Sequence, residues 1–232
     1  MLNWAARYFP IVRVLKRHLN KTDSVLEIGS GYVGMGEIYR HAFIGCDVNF
    51  EFKPRPPMIP VVATAVGLPF RDGSFDAVIA SDILEHVPPD RRKLVILEAL
   101  RVARKLTIFG FPSGADALEY DKKLAEVYDR RRVKRPMWLQ EHIRHGFPNE
   151  DLFEELRKSW SVTSFGNENL EFHLWVMTRE MSRAWVFGFR RLLSALPQMA
   201  EKVIRRADRE PFYRRIVVIE RRPNSELPLV ES

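Results

Sequence analysis

Val25-Leu26-Glu27-Ile28-Gly29-Ser30-Gly31-Tyr32-Val33-Gly34 decides how this chain is read. An apolar run broken by one carboxylate, Glu27, predicts a short strand that ends at glycines. Gly29, Gly31 and Gly34 have the spacing G-x-G-x-x-G, and glycine stands where backbone approaches a ligand or takes a positive φ. A glycine turn at the carboxyl end of the first strand of an open α/β sheet is where nucleotides bind. A dinucleotide fingerprint does not ask for Glu27. Asp47 closes a second apolar run, residues 42–47, about 20 residues from the glycines, where a carboxylate can accept both hydroxyls of a ribose. Two blander readings stand beside these: a tight βα turn without ligand for the glycines, and a solvated strand end for Asp47.

Outward from this stretch, strand and helix signals alternate. Strands are expected at 61–65, at 75–80 after the turn Arg71-Asp72-Gly73-Ser74, and at 106–111, stopped by Pro112. Helices are expected at 35–41 and 90–103. Pro54, Pro56, Pro57 and Pro60 cannot sustain a helix after Asp47, so an extended connection is expected there. Such alternation predicts a parallel sheet with helices on both faces. Further on, helices are expected at 115–128, 150–158 and 181–207, the last broken at Pro197. Strands are expected at 162–165, 174–177 and 214–220, with a frayed tail after Pro223. Residues 1–21 read as an amphipathic helix with Trp4, Tyr8, Ile11, Val12 and Leu15 on one side.

The 232 residues fit one large domain. With 46% hydrophobic and 29% charged residues the composition is that of a globular protein. The single cysteine, Cys46, rules out an intramolecular disulfide and a cysteine-based zinc cluster. No apolar run approaches the roughly 18 residues of a membrane span, and Arg7, Arg13, Lys16 and Arg17 interrupt any signal-peptide core. The chain is expected to be cytoplasmic, with peripheral contact at the inner face of a membrane as a further option.

The runs LEIGSGYVG (26–34), GCDVN (45–49), LPFRDGSFDAVIASDILEHV (68–87) and EALRVARKLTIFGFP (98–112) resemble class I S-adenosylmethionine-dependent methyltransferases, and among them the type 11 methyltransferase domain. The resemblance implies a Rossmann-like, seven-stranded, mostly parallel α/β sheet with an antiparallel last strand and helical insertions. One domain would comprise a core (22–112), an active-site cap (113–160), C-terminal strands with a basic helical insert (161–222) and the tail (223–232). The implied cofactor is S-adenosylmethionine. Glu27, Gly29, Ser30 and Gly31 would hold its methionine part, Asp47 and Val48 its ribose, and Thr64 and Ala65 its adenine. Ser81 and Asp82 would face the sulfonium. The family often reads Asp-Ala where this chain reads Thr64-Ala65, which puts a neutral hydroxyl in place of a carboxylate.

An activated methyl donor asks the protein mainly to hold the nucleophile in line and exclude water. Asp82, Glu85, His86 and His142 are the candidate catalytic residues, although Glu85 also suits a helix start and His86 a packed histidine. His142 and His145 could share a helix face, but no third ligand is evident, so no metal site is assigned. The Glu141–His145 segment is expected to wall the substrate pocket. Residues 179–222 hold 12 basic and 5 acidic residues, which accounts for the whole net charge of +7. Trp185, Phe189, Leu192, Leu193, Leu196 and Val203 are expected to form one apolar stripe there. This basic segment could pack on the core, lie on an anionic membrane or grip RNA phosphates. The preferred acceptor is a small-molecule, lipid-linked or sugar-linked metabolite, methylated on oxygen or nitrogen. The alternatives are an RNA methyltransferase and a non-catalytic binding subunit; oligomeric state stays open.

Overall fold

The computed structural model describes residues 2–222, and for Leu193, Ser194 and Pro197 the backbone alone. The tail, 223–232, lies outside the described residues. Seven strands form one sheet: β1 (Val25–Ile28), β2 (Phe43–Asp47), β3 (Met58–Val62), β4 (Phe75–Ser81), β5 (Ala103–Pro112), β6 (Trp160–Asn169) and β7 (Phe212–Arg221). Their spatial order is β3-β2-β1-β4-β5-β7-β6. β7 runs antiparallel to both of its neighbours and the other pairs are parallel. This is the expected seven-stranded α/β sheet. β1 and β4 are buried along their whole length, as strands covered on both faces must be. β3 lies at the edge, where Pro60 costs no ladder bond.

The helices are α1 (Leu2–His18), α2 (Arg92–Val102), α3 (Gly114–Arg130), α4 (Met137–His145), α5 (Leu170–Glu180), α6 (Arg183–Ala195) and α7 (Pro197–Arg206). α1 is more deeply placed than a surface amphipathic helix. Tyr8, Ile11, Val12 and Leu15 pack on one sheet face, while Leu2, Ala5, Ala6 and Phe9 pack on α5 and α7 residues such as Val176, Ala200 and Ile204. Pro10 sits inside it and can donate no bond to the Ala6 carbonyl. The Asn167 amide, 3.2 Å away, donates to that carbonyl instead.

Four local expectations are corrected. Residues 35–41 form successive turns rather than a helix, because Gly34 takes φ +53° and Gly36 follows two residues later. The third strand begins at Met58, three residues earlier than expected, with Pro60 inside it. Residues 150–158 form two 3-10 turns started by Asn149, whose side chain accepts the Asp151 N–H at 3.1 Å. Residues 174–177 belong to α5: the Asn169 side chain caps that helix by accepting the Glu171 and Phe172 N–H groups at 3.0 and 3.3 Å.

The block 68–76 and the block 98–104 form one latch. Glu98 accepts the Leu68 N–H at 2.8 Å. Arg101 donates to the carbonyls of Leu68 and Phe70 and to Asp72. Arg104 and Lys105 hold Asp76, which Ser24 also meets, and together these donors keep its carboxyl well below the usual range despite burial.

The basic segment does not form one apolar stripe. Trp185 and Phe189 are half-buried, whereas Leu192, Leu196 and Val203 are exposed, because the chain turns between α6 and α7. Part of its charge is also taken up within the fold: Arg214 is buried, and the partly exposed Arg215 pairs with Glu150 at 3.1 Å.

Candidate active site

A cavity of about 660 Å³ opens at the carboxyl ends of β1, β2 and β4. Its floor is the glycine loop. Gly29 and Ser30 donate to the Cys46 carbonyl at 2.7 and 3.2 Å, which staples the loop to β2. Gly29, Gly31 and Gly34 all take positive φ. A side chain on Gly29 would collide with Ile83, and one on Gly34 would collide with Glu27, whereas one on Gly31 would meet nothing within 4 Å and would occupy open space. Gly31 donates its N–H to Asp47 Oδ2 at 2.8 Å, so the carboxylate at the end of β2 is tied to the loop it faces.

Gly29, Ser30, Gly31, Asp47, Val48, Thr64, Ala65, Asp82 and His86 line this cavity. Glu27, Ser81, Glu85 and His142 stand behind its wall, all buried. Glu27 Oε2 accepts the Met35 N–H at 2.9 Å, while Oε1 has no partner among the described residues. Burial pushes its carboxyl up to about 7, against the Tyr8 hydroxyl, the Met35 N–H and Arg7, which pull it down. The sequence reading missed the contribution of α1. Trp4, Arg7 and Tyr8 form one side of the cavity, and Trp4 Nε1 donates to the Gly34 carbonyl at 2.9 Å. Arg7 Nε is buried without a partner.

Asp82 follows β4 in a left-handed conformation, φ +52°, which aspartate tolerates better than most residues. Its amide donates to the Gly110 carbonyl at 2.7 Å. Arg214 grips its carboxylate with two bonds, 2.8 and 2.9 Å, and Arg7 approaches at 3.4 Å. Burial alone would raise the Asp82 carboxyl, but Arg214 and Arg7 bring it down to about 2. It is an anchor for guanidinium groups and a poor proton acceptor.

The polar network continues inward from Arg214. That guanidinium also meets Glu168 at 2.6 Å, and Glu168 faces His173 Nδ1 at 3.2 Å. His173 stacks on the Tyr213 ring at 3.4 Å, and the Tyr213 hydroxyl donates to Asp121 at 2.9 Å. Asp121 pairs with His142 Nδ1 at 2.7 Å. His142 Nε2 lies 3.4 Å from His86 Nε2, and His86 Nδ1 pairs with Glu141 at 2.7 Å. His142 is therefore paired with His86, not with His145. Glu141, His142 and His145 do not line the cavity; Glu141 and His142 form the shell behind His86. Burial, then the neighbouring His142, lowers the His86 imidazole, against the Glu141 carboxylate. Burial, then Asp82, pushes the Glu85 carboxyl well up.

Arg92 holds this arrangement together. It donates to the Leu84 and Val87 carbonyls at 2.9 and 3.2 Å, and to the His145 and Gly146 carbonyls at 3.2 and 2.6 Å. The turn after β4 and the end of α4 are thereby fixed to each other.

The strand order, the glycine loop and the carboxylate at the end of β2 are those of the class I S-adenosylmethionine-dependent methyltransferase fold. A family model described as a methyltransferase domain matches residues 26–110. Three solved structures show the same fold. A candidate methyltransferase from an antibiotic biosynthesis pathway of Anabaena variabilis is 14% identical, covers 92% of this chain and 98% of its own, and has a TM-score of 0.54. The complex of a Haloferax volcanii candidate methyltransferase with the Trm112 methyltransferase activator gives 14% identity, 95% and 96% coverage and a TM-score of 0.54. A candidate sarcosine dimethylglycine methyltransferase from Galdieria sulphuraria gives 12% identity, 93% and 84% coverage and a TM-score of 0.50. No curated protein sequence matches the chain. S-adenosylmethionine is the cofactor of the class. The residues present fit it: a cavity of suitable size, an open face at Gly31, a carboxylate at the rim, and unpartnered polar atoms on Arg7 and Glu27.

Proposed function

We propose that the chain methylates a small-molecule, lipid-linked or sugar-linked metabolite on oxygen or nitrogen. One observation carries this reading: a single cavity joins the glycine loop, Asp47 and Thr64–Ala65 at one end to the Asp82–His86 turn at the other. When bound, the cofactor supplies an activated methyl group. Asp47 accepts the ribose hydroxyls, and the backbone around Thr64 and Ala65 meets the adenine. Thr64 keeps its hydroxyl near the Val66 N–H, 3.4 Å away, so it offers the adenine little. Arg7 receives the carboxylate of the methionine part and Glu27 its ammonium group. Ser81 and Asp82 shape the end of β4 beside the sulfonium.

The acceptor enters over His86 and is held in line rather than deprotonated by a free base. Asp82 is committed to Arg214, and both His86 nitrogens face partners. The neighbour from Galdieria sulphuraria, named for a small amine acceptor, supports a small metabolite. Calorimetric titration with S-adenosylhomocysteine tests the site. One-to-one micromolar binding is expected, weakened at least about tenfold by Asp47→Ala, as loss of two ribose hydrogen bonds requires. Absence of binding, or an unaffected variant, would refute the placement.

For α6 and α7 we infer peripheral contact with an anionic membrane surface. Phe187, Leu192, Leu196, Met199 and Val203 are exposed on a segment rich in arginine. No helix of the described residues is long and apolar enough to cross a membrane. Retention on anionic vesicles at low salt, lost on neutral ones, is the expected result.

A further inference from the structure

The back wall of the cavity holds a group of side chains that methyl transfer as described does not use. Glu85 and His86 lie on the turn after β4, and His142 projects from α4. One ligand atom from each lies within 4.8 Å of the others. We propose that Glu85, His86 and His142 bind a divalent first-row cation, of which Zn²⁺ is the representative.

Four observations carry the site. First, each histidine has a carboxylate on Nδ1: Glu141 for His86 and Asp121 for His142, both at 2.7 Å. A carboxylate at that position fixes the proton on Nδ1 and leaves Nε2 with its lone pair outward, the arrangement found behind metal-ligating histidines. Second, the two Nε2 atoms face each other at 3.4 Å. With Nδ1 carrying the proton on both rings, the facing nitrogens need a shared proton or a cation between them. Tetrahedral Zn–N bonds of about 2.0–2.1 Å place two ligand nitrogens about 3.3 Å apart. Third, Glu85 is fully buried, and neither carboxylate oxygen has a hydrogen-bond partner among the described residues. Such an orphan is costly. Glu85 Oε1 already lies 3.9 Å from His142 Nε2, so a small side-chain rotation completes the set. Fourth, Glu141, Asp121 and Asp82 surround the cluster with Glu85, while Arg214 and Arg7 are paired with Asp82 and Arg92 spends its donors on backbone carbonyls. The local charge suits a dication.

Two imidazoles and one carboxylate leave at least one coordination position open, as in catalytic rather than structural zinc sites. His86 belongs both to this cluster and to the cavity wall. If the methyl-transfer reading holds, on which this last step rests, the open position takes an acceptor oxygen. That narrows the acceptor to a hydroxyl or carboxylate compound. The cation would also supply what the wall lacks, a group that favours the anionic form of a hydroxyl.

The test is metal content of the purified full chain, stripped with a chelator, reloaded with Zn²⁺ and desalted. One zinc per chain is expected. Glu85→Gln and His86→Ala should each abolish retention, with the circular-dichroism spectrum unchanged. Glu141→Gln should weaken Zn²⁺ affinity about 10–100-fold through the ring it orients. Zinc well below one per chain in the wild type, or full retention by Glu85→Gln or His86→Ala, would overturn the site. Cofactor affinity is read separately, so a chain that binds S-adenosylhomocysteine and no zinc refutes this inference alone. A chain that binds zinc and no S-adenosylhomocysteine refutes the methyl-transfer placement alone.

Discussion

Replacing Arg214 with methionine tests whether the ion-pair network behind the cavity is the support that the geometry implies. Arg214 is 1% exposed and gives two bonds to Asp82 and one to Glu168. Methionine keeps the apolar stem and removes the charge. Two buried carboxylates are then left, with Arg7 at 3.4 Å from only one of them. Breaking a buried pair in this way costs about 3–5 kcal/mol. For a chain of this size that is a fall in Tm of roughly 6–20 °C. Asp82 adds a pH signature. Its carboxyl falls from 3.8 to about 2 on folding, so its ionised form stabilises the fold above pH 4. That contribution, about 2 kcal/mol, is lost as pH drops from about 4 to 2. Arg214→Met should lose much of this acid dependence as well as the neutral-pH stability. The triple variant Arg214→Met, Asp82→Asn, Glu168→Gln should regain part of the loss, because it removes both carboxylates that Arg214 balanced and leaves only Arg7 without its partner. Urea unfolding followed by circular dichroism at pH 7 and pH 3.5 measures each quantity. A single variant that loses less than about 1 kcal/mol, or a triple variant no better than the single, would falsify the argument.

Three further outcomes are expected. Gly31→Ala should weaken S-adenosylhomocysteine binding at least tenfold while costing about 1 kcal/mol of stability, since its Cβ enters open space, whereas Gly29→Ala should cost clearly more stability because Ile83 must move; equal stability losses would contradict the two geometries. Glu27 has a carboxyl raised from 4.5 to about 7, so the folded state holds a proton that the unfolded state has released, and stability falls as pH rises through that window. Glu27→Gln should flatten the curve between pH 5 and 8 by up to about 3 kcal/mol, and superimposable curves in urea titrations would refute it. Arg92→Ala should speed amide hydrogen exchange at residues 84–87 and 145–146 with little effect at β1; unchanged protection would show that the clamp is not what holds the turn.

The parts of the site legible in the sequence are those written as contiguous runs. The glycine loop announces itself because the strand, the turn and the positive-φ positions are neighbours in the chain. Asp47 follows from its distance to that loop. The 68–76 block is recognisable because its residues fold against 98–104 as one latch. Arg214, Glu168 and Asp121 carried no such mark. Arg214 meets Asp82 across 132 residues, and in the sequence it is one of a pair of arginines on a strand. Arg7 lay hidden for a similar reason: helical periodicity marks it as a polar break in α1, while its guanidinium faces the cavity. The histidine pair was missed because proximity in sequence favoured His142 with His145, whereas the partner sits 56 residues away. The third strand was displaced because prolines normally argue against a strand, and only an edge position removes the objection.

The antiparallel insertion of β7 between β5 and β6 has a consequence for the order in which the protein is made. α1 leaves the ribosome long before its anchors at Glu180, Glu201 and Asn167. Asp82, at the mouth of the cavity, waits for Arg214 on the final strand. Synthesis proceeds at roughly 5–20 residues per second, so the nascent chain spends several seconds or more with the glycine loop made and its wall absent. During that interval the face of α1 that packs on α5 and α7 has no cover. The donor pocket therefore comes into being only once β7 has been made, and the nascent chain depends on whatever shields that face until then.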